Sequence, residues 1–297
     1  MKHVFIVNPA AGSGSVPAYV RERLGGRTDC EIYETAGRRD ATGYIRSRCA
    51  RTPGEELCFV ACGGDGTVNE VASGVAQTPN ASMTVLPMGS GNDFVKAFGG
   101  AEKFLDIEAL LNARPKPIDI LKVGDRWALN AFHFGLDAAV AKTMIDVKPK
   151  PIIGGANAYP TGVAKALIFN MRTWCRMEVD GELFHEGDLL LCTVANGQYV
   201  GGSYRCAPRS RYDDGLAEIC LVKPVSRLRF LTLMNAYKAG SHLEDPRFRG
   251  VILYRRGKVV EVSGKPGFMV SLDGEIVEQE SFRVEVVPGG VNFAIPE

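Results

Sequence analysis

A glycine-rich stretch near the N-terminus contains residues that could do chemistry. In GGDGTVNE, at 63–70, three glycines surround the carboxylate Asp65, and Asn69 and Glu70 follow closely. The stretch lies between the apolar run LCFVAC and a segment whose valines recur near helical spacing. Turns from a strand into a helix bind phosphates, because the first helical N–H groups are unsatisfied and the helix dipole favours anions. A carboxylate would repel phosphate, so Asp65 there predicts a Mg²⁺ ion between the two.

Two further glycine-rich loops have the same context. NPAAGSGS at 8–15 follows the first predicted strand, and LPMGSGNDF at 86–94 follows another and contains Ser90 and Asp93. The first loop is neither a Walker A loop nor a GxGxxG fingerprint, since Pro17 stands where the third glycine would fall. Each loop alone is typical of an ordinary turn. Because all three follow successive predicted parallel strands, we expect them at the same edge of one sheet, where they indicate phosphoryl transfer from a nucleotide.

Composition and charge narrow the class of protein. The 297 residues are 45% hydrophobic and 23% charged, with a net charge of +1, which argues against general nucleic-acid binding. The apolar run before Asn8 is too short for a signal peptide, and no apolar stretch is long enough to cross a bilayer. The eight cysteines contain no CxxC pair, which favours reduced thiols and disfavours a zinc site. We therefore expect a cytoplasmic protein whose membrane contact is peripheral.

The pattern of predicted secondary structure changes near residue 120, and this change predicts two domains. Residues 1–122 alternate strand and helix signals, as in an α/β domain with a mostly parallel sheet. Residues 123–287 contain strand-like runs separated by Gly, Asp and Asn turns, which predict an antiparallel β-sandwich with a few helices. The predicted helices are 16–24, 40–51, 68–77, 92–98 and 104–112 in the first part, and 136–146, 160–173 and 226–239 in the second.

Seven sequence blocks, in order, carry a resemblance to a known family. NPAAG, GGDGTVNEVASG, LPMGSGNDF, NAFHFGLDAAVA, NGQYVGGSYRCAP, RYDDGLAEI and SLDGE resemble the diacylglycerol kinase catalytic-domain family, and most closely its soluble bacterial lipid kinases, which are related to sphingosine and ceramide kinases. The blocks span nearly the whole chain. The resemblance implies a fold like that of NAD kinase and diacylglycerol kinase, with the active site between the two domains and a final strand, about 288–297, that returns to the first. It also implies ATP as phosphoryl donor and Mg²⁺ as cofactor.

The resemblance also assigns roles to individual residues. Asp65 would hold the catalytic Mg²⁺ or its waters, with Asp93 beside it, and small residues would let the backbone approach the phosphates. Glu275, in SLDGE, matches the catalytic base, although the motif by itself is an ordinary Asp-Gly turn. The ATP site would comprise Asn8, Pro9, Ala10, Ala11, Gly12, Thr35, Gly64, Asp65, Gly66, Thr67, Val68, Asn69, Glu70, Ser90 and Asp93.

A second, structural Mg²⁺ is implied in the RYDDGL turn. There the carboxylate of Asp214 and the backbone carbonyls of Arg211 and Leu216 would be ligands, because magnesium prefers hard oxygen donors. The chain departs from the family at Val95-Lys96, where Ala-Arg is frequent, and at Ala217-Glu218, where Leu-Asp is frequent. Lys96 keeps the charge but lacks the forked guanidinium with which arginine pairs with a phosphate or a carboxylate through two hydrogen bonds.

The sequence says less about which surface of the protein would contact a membrane and which lipid would accept the phosphoryl group. Two basic clusters, one at 205–211 and one at 255–258, and the segment around Lys148, Lys150, Ile152 and Ile153 are candidate contacts with the inner face of an anionic membrane; solvated charges are the ordinary alternative. A homodimer through an exposed strand edge is possible. We expect diacylglycerol as acceptor. Monoacylglycerol, ceramide, a sphingoid base and phosphatidylglycerol remain open, as do a soluble-substrate kinase like NAD kinase and a catalytically idle lipid- or nucleotide-binding regulator.

Overall fold

The computed structural model describes residues 1–147, 161–162, 165–166, 168 and 171–297. Lys148, Lys150, Ile152 and Ile153, and much of the helix predicted over 160–173, lie outside the described residues. Among the described residues, no helix is both long and apolar enough to cross a membrane.

The N-terminal part is a parallel sheet covered by helices, as the alternation of signals predicted. Strand order is β2-β1-β3-β4, and every pairing is parallel. The apolar runs of β3 and β4 are buried on both faces, as expected for inner parallel strands. The strands are β1 (Lys2–Val7), β2 (Cys30–Glu34), β3 (Leu57–Gly63) and β4 (Ala81–Pro87), and the helices are α1 (Val16–Leu24), α2 (Asp40–Arg51), α3 (Asp65–Val75) and α4 (Ile107–Asn112).

Two predicted helices differ in detail. The helix predicted at 92–98 is a short 3-10 helix over Phe94–Phe98. The helix predicted at 104–112 is split into a 3-10 turn, Ala101–Phe104, and α4. The split occurs because the Asp106 side chain accepts hydrogen bonds from the N–H groups of Glu108 and Ala109 and so starts a new helix.

The C-terminal part forms a sandwich of two sheets. The first sheet continues from β4 through β16 to β13, β8 and β9, with β5 also beside β16 and β6 beside β5. The second sheet is entirely antiparallel, in the order β12-β11-β10-β7-β14-β15. Apolar residues of both sheets, among them Phe134, Met177, Val194 and Val284, form one core between them. The strands are β5 (Pro115–Val123), β6 (Arg126–Ala128), β7 (Ala131–Gly135), β8 (Thr173–Val179), β9 (Glu182–Leu189), β10 (Leu191–Ala195), β11 (Ala217–Val222), β12 (Ile252–Gly257), β13 (Val259–Gly264), β14 (Met269–Leu272), β15 (Glu275–Glu278) and β16 (Ser281–Ala294).

The last strand connects the two parts. β16 pairs with β5 over most of its length and with β4 at Phe293–Met83. The side chain of Phe293 is completely buried in the N-terminal core. The chain therefore returns to the first sheet, while the division near residue 122 stays a prediction.

Two helices cover the outer face of the second sheet. They are α5 (Leu136–Val147) and α6 (Arg227–Ala239). Leu136, Val140, Leu233 and Tyr237 on these helices pack in a third apolar cluster with Leu191 of the sheet. This layer encloses the cavity described below.

Candidate active site

The three glycine-rich loops meet at the carboxyl ends of β1, β3 and β4. Asn8 Nδ2 at the end of β1 donates to Thr67 Oγ1 of α3 at 3.1 Å. Gly64 and Gly89 lie so close that a Cβ on Gly89 would collide with the Cα of Gly64. Asn92, at φ +49°, accepts the N–H of Gly89 at 3.0 Å and so closes the third loop. Tight packing of small residues thus brings together the backbone of all three loops.

Asp65 is the first residue of α3 and lies against the third loop. Its Oδ1 accepts the N–H of Asp93 at 2.6 Å and that of Phe94 at 3.4 Å. Burial, and then the negative charge of Asp93, raise the pKa of Asp65, while the two N–H donors oppose this. Among the described residues, no donor to Oδ2 is found. The two carboxylates of Asp65 and Asp93 therefore favour the binding of a cation between or beside them.

Asp93 links the third loop to the C-terminal part. Its Oδ2 accepts the N–H of Gly202 at 2.8 Å, and its Oδ1 accepts Lys96 Nζ at 2.6 Å. Lys96 Nζ also donates to the carbonyl of Gly202 at 2.5 Å and lies 5.5 Å from the ring centroid of Tyr199. Lys96, where the family often has arginine, thus makes an interdomain contact of its own.

Asp273, between β14 and β15, is a site residue that sequence reasoning treated only as a turn tip. It is at φ +47°, and its carboxylate accepts N–H groups of Leu129, Asn130 and Ala131 at 2.6–3.2 Å. Burial raises its pKa to about 6 although these donors lower it. Asp273 therefore anchors the turn that carries Glu275. The one available signal was an Asp at a turn flanked by apolar residues.

Glu275 lies beside this turn and is held by two arginines. Its Oε1 is 2.5 Å from Arg39 Nη2 and 3.1 Å from Arg126 Nη1. Burial opposes its ionisation, but the hydrogen bond and charge of Arg39 and the charge of Arg126 prevail and lower its pKa. Glu275 itself does not line the cavity, whereas Asp273 and Gly274 do.

A cavity of about 620 Å³ starts at these carboxylates and runs under α5 and α6. Its mouth is polar and includes Asp65, Asn69, Ser90, Asp93 and Asp273. Its far end is apolar, with residues of both helices and of the second sheet: Leu136, Val140, Met144, Leu191, Phe230, Leu233 and Met234. A volume in this range is typical of ligand sites. The arrangement can hold a polar reacting group at the mouth and a hydrocarbon chain inside.

The other predicted nucleotide-site residues lie around the loops and do not all face the cavity. Thr35 is buried, and its Oγ1 donates to the Val7 carbonyl at 3.4 Å. Pro9, Ala10 and Gly66 are exposed, and Ala11 and Gly12 lie in the first loop, with Gly12 at φ +54°. The side chain of Val68 is buried at the cavity wall.

Asn69 and Glu70 of α3 contact neighbouring segments. Asn69 Nδ2 donates to the carbonyl of Trp127 at 3.4 Å, and the Glu70 carbonyl accepts Thr42 Oγ1 at 2.8 Å. Asn69 therefore links α3 to the segment that leads into β7.

The predicted structural metal turn at 211–216 does not line the cavity, although Tyr212 Oη donates to the cavity residue Asn130 at its Oδ1, at 2.9 Å. Asp214 Oδ1 accepts the N–H of Leu216 at 3.2 Å, and its Oδ2 pairs with Arg256. The side chain of Arg211 pairs with Asp213 at 3.1 Å. Among the described residues, no group of three or more His, Cys, Asp or Glu side chains is placed to hold a metal. A metal in this turn would depend on backbone carbonyls and would compete with Arg256.

The two parts of the chain match two family models. Residues 2–123 match the diacylglycerol kinase catalytic domain, and residues 130–295 match the YegS C-terminal NAD kinase beta sandwich-like domain.

Similar proteins agree with these matches. A protein of Pseudomonas syringae pv. syringae named "Probable lipid kinase YegS-like" is 31% identical over 241 residues, which are 80% of this chain and 75% of the relative. One of the same name from Pseudomonas aeruginosa PAO1 is 32% identical over 243 residues, 80% of this chain and 76% of the relative. The fold resembles that of a diacylglycerol kinase from Bacillus anthracis str. Sterne, with a TM-score of 0.71 and 21% identity over 99% of this chain and 96% of that one.

Proposed function

Since the chain belongs to the family of YegS-like bacterial lipid kinases, we propose that it transfers the γ-phosphoryl group of ATP to the hydroxyl of diacylglycerol in a Mg²⁺-dependent reaction. The product would be phosphatidic acid. One observation carries the proposal: a cavity joins the carboxylates beside the glycine-rich loops to an apolar chamber under α5 and α6. Such a cavity suits an acceptor with one polar end and a hydrocarbon body.

The nucleotide binds, in this proposal, on the three loops. The close approach of Gly64 and Gly89 leaves backbone without side chains at the point where phosphates would lie. The N-terminus of α3 begins at Asp65, so its free N–H groups point to the same place. Asn8 to Gly12, Thr35, Gly64 to Glu70, Ser90 and Asp93 are the residues that we assign to this site.

The donor set at Asp65 and Asp93 fits a magnesium ion. Two carboxylates lie together, and the pKa of Asp65 is raised by burial and by Asp93, as expected of a site that needs a cation. Asp65, with Asp93 beside it, would hold the ion, which when bound supplies charge neutralisation of the phosphates. Lys96 Nζ and the N–H of Gly202 already bind the Asp93 carboxylate, so Asp65 would supply most of the negative charge that holds the ion.

We propose Glu275 as the base that receives the proton of the acceptor hydroxyl. Its ion pairs with Arg39 and Arg126 keep it ionised, as a base must be, although they weaken its basicity. Phosphoryl transfer has a loose transition state, so orientation matters more than basicity. The bond from the lipid oxygen to γ-phosphorus forms as the bond from γ-phosphorus to the ADP oxygen breaks. The proton of the hydroxyl passes to the Glu275 carboxylate.

Three further assignments belong to the proposal. The 211–216 turn would hold a structural Mg²⁺ through Asp214 and the carbonyls of Arg211 and Leu216. The enzyme would act in the cytoplasm, transiently at the inner face of the membrane. A homodimer could form along a sheet edge such as β9 or β15, each of which has one neighbouring strand in its sheet.

The test is a phosphorylation assay with labelled ATP, Mg²⁺ and a panel of lipids in mixed micelles, run with the wild type, Asp65→Ala and Glu275→Ala. We expect label in diacylglycerol with the wild type and loss of label in both variants. Label in ceramide, a sphingoid base or phosphatidylglycerol would keep the lipid kinase and replace the acceptor. Label only in a soluble alcohol such as NAD would overturn the lipid acceptor, and ATP binding without turnover would favour a non-catalytic regulator.

A further inference from the structure

Polar side chains interrupt the apolar wall of the cavity, and two of them face each other on neighbouring strands. His133 of β7 and Ser271 of β14 are cross-strand partners, and both line the cavity. His133 is 8% exposed and Ser271 is completely buried. Within the part of the chain that the structure describes, neither His133 Nδ1 nor Ser271 Oγ has a hydrogen-bond partner.

Strand geometry explains why both side chains face the cavity. Alternate residues of a strand point to opposite faces, and Phe132, Phe134, Val270 and Leu272 point into the core of the sandwich. His133 and Ser271, between them, must therefore point to the helical side. A buried polar group without a partner costs about 1–3 kcal/mol, so two of them side by side in a ligand cavity call for an explanation.

We propose that His133 and Ser271 bind a second oxygen of the acceptor lipid, an ester carbonyl or a free hydroxyl close to the hydroxyl that is phosphorylated. This inference rests on the proposed function and defines its acceptor as a glycerol-type lipid rather than a simple long-chain alcohol. Ser271 is two residues from Asp273, which lines the polar mouth, so the bound oxygen would lie near the reacting end.

The chemistry of the pair favours a neutral oxygen. Burial lowers the pKa of His133 to about 4, so at neutral pH its ring has one donor and one acceptor nitrogen. The Ser271 hydroxyl also donates and accepts. Asp137 of α5 lines the same cavity, and burial raises its pKa to about 7. Because an ionised Asp137 would attract an ammonium group, a long-chain amino alcohol is the competing acceptor that the experiment must separate.

The experiment compares monooleoylglycerol, oleyl alcohol and a sphingoid base with wild type, Ser271→Ala and His133→Leu. We expect each variant to lose about tenfold in kcat/KM for monooleoylglycerol, as for one lost hydrogen bond, and to change little with oleyl alcohol. Thr193→Val is the matched control, because Thr193 is the cross-strand partner of His133 on its other side and is not part of the cavity wall. His133→Asn, which keeps a donor and an acceptor, should restore part of the selectivity.

Ligand-induced thermal shifts test the same inference without turnover. Monooleoylglycerol should raise the Tm of the wild type more than oleyl alcohol does, and this difference should vanish in Ser271→Ala and His133→Leu. Equal shifts by the two ligands in the wild type, or unchanged selectivity in both variants, would overturn the inference. A preference for the sphingoid base would assign the subsite to Asp137 instead. Failure of the proposed function would appear separately, as absence of label in every lipid.

A separate observation concerns the outer face of α6. Phe230, Leu233 and Met234 line the cavity, whereas Leu228 and Leu231, three residues apart, are 79% and 52% exposed. Arg227 donates to the carbonyl of Ile168, which places Ile168, another exposed apolar residue, beside the first turn of this helix. Ile145 of α5 is exposed and also lines the cavity. We call Ile145, Ile168, Leu228 and Leu231 the apolar rim.

The charge around the rim indicates its partner. Residues 223–249 contain six Lys and Arg against two Asp and Glu, a net charge of +4, while the whole chain has +1. Exposed leucines flanked by arginines suit contact with an anionic bilayer surface, because the leucines can enter its apolar layer while the arginines pair with its charged headgroups. We propose that the apolar rim docks on anionic membrane lipid. A lipid could then enter the cavity beside Ile145 without crossing water.

Vesicle sedimentation tests this docking surface. We expect Leu228→Gln/Leu231→Gln to lose most binding to vesicles of equal phosphatidylglycerol and phosphatidylcholine, and the wild type to bind vesicles of phosphatidylcholine alone weakly. Leu183→Gln is the matched control, since Leu183 of β9 is also exposed, at 55%, but is on the other sheet. Binding of the double variant equal to that of the wild type would overturn the proposal, whatever the lipid assay shows.

Discussion

Asn69 and Asp273 accept the same backbone N–H, that of Leu129. Asn69 Oδ1 lies 3.3 Å from this nitrogen and Asp273 Oδ2 lies 2.6 Å from it. Asn69 belongs to the α/β part and Asp273 to the β-sandwich, so the segment before β7 is held from both sides. All three residues line the cavity, so this shared contact joins the two parts of the chain at the cavity wall.

The first prediction concerns the charge of Asp65. Because the folded state raises its pKa, ionised Asp65 destabilises the fold above that pKa, and the neutral Asp65→Asn should have a higher Tm at pH 7. Mg²⁺ should raise the Tm of the wild type and have less effect on the variant. We expect kcat to fall about 100-fold or more.

Differential scanning calorimetry with and without Mg²⁺ measures these shifts. Asp125→Asn, an exposed carboxylate in the turn between β5 and β6, is the control and should behave like the wild type. An equal Mg²⁺ effect on the wild type and Asp65→Asn would remove Asp65 from the proposed metal site.

The second prediction is a pH dependence that comes from Asp273. Its pKa is raised from 3.8 to about 6, so its contribution to stability is fully present below pH 4 and is lost as pH rises through 6. The free energy of unfolding of the wild type relative to Asp273→Asn should therefore fall by about 2 kcal/mol between pH 4 and pH 7. Urea unfolding of both proteins across this range measures the difference. A constant difference would mean that the N–H donors offset the burial of the carboxylate.

The third prediction concerns the arginine beside Glu275. Arg39→Gln removes a hydrogen bond and a positive charge, so the pKa of Glu275 should rise. If Glu275 is the base, the acid limb of kcat/KM should move to higher pH by on the order of one unit. Arg38→Gln changes the neighbouring arginine and should leave the profile in place. A profile that is unchanged in Arg39→Gln would argue that another group sets the acid limb.

The fourth prediction concerns the turn at 211–216. Arg256 pairs with Asp214 and would compete with a cation there. In the Asp65→Asn background, Arg256→Gln should therefore increase the Mg²⁺-induced rise in Tm by about 2 °C, equivalent to about 1 kcal/mol. Adding Asp214→Asn should cancel the gain. If Mg²⁺ stabilises all three variants equally, the turn does not hold the ion.

Much of the fold could be predicted from the sequence, because its signals are local. The run LCFVAC is followed at once by glycines and a helix, and the same order recurs at the other two loops, so parallel strands with loops at one edge could be inferred. The start of α4 was less predictable. Asp106 starts α4 through its own side chain, a capping effect that hydrophobic periodicity does not report.

The residue types at the nucleotide and metal sites could be inferred from the sequence: glycines for close backbone approach and carboxylates for a cation. Which of these residues meet, and that two helices enclose an apolar chamber beside them, follows from the tertiary structure. Leu129 and Asp273 are 144 residues apart, Asp93 and Gly202 are 109 apart, and Arg39 and Glu275 are 236 apart. His133 and Ser271 likewise become neighbours only through the register of β7 with β14. Contacts at such separations depend on how whole sheets pack, which no local pattern encodes.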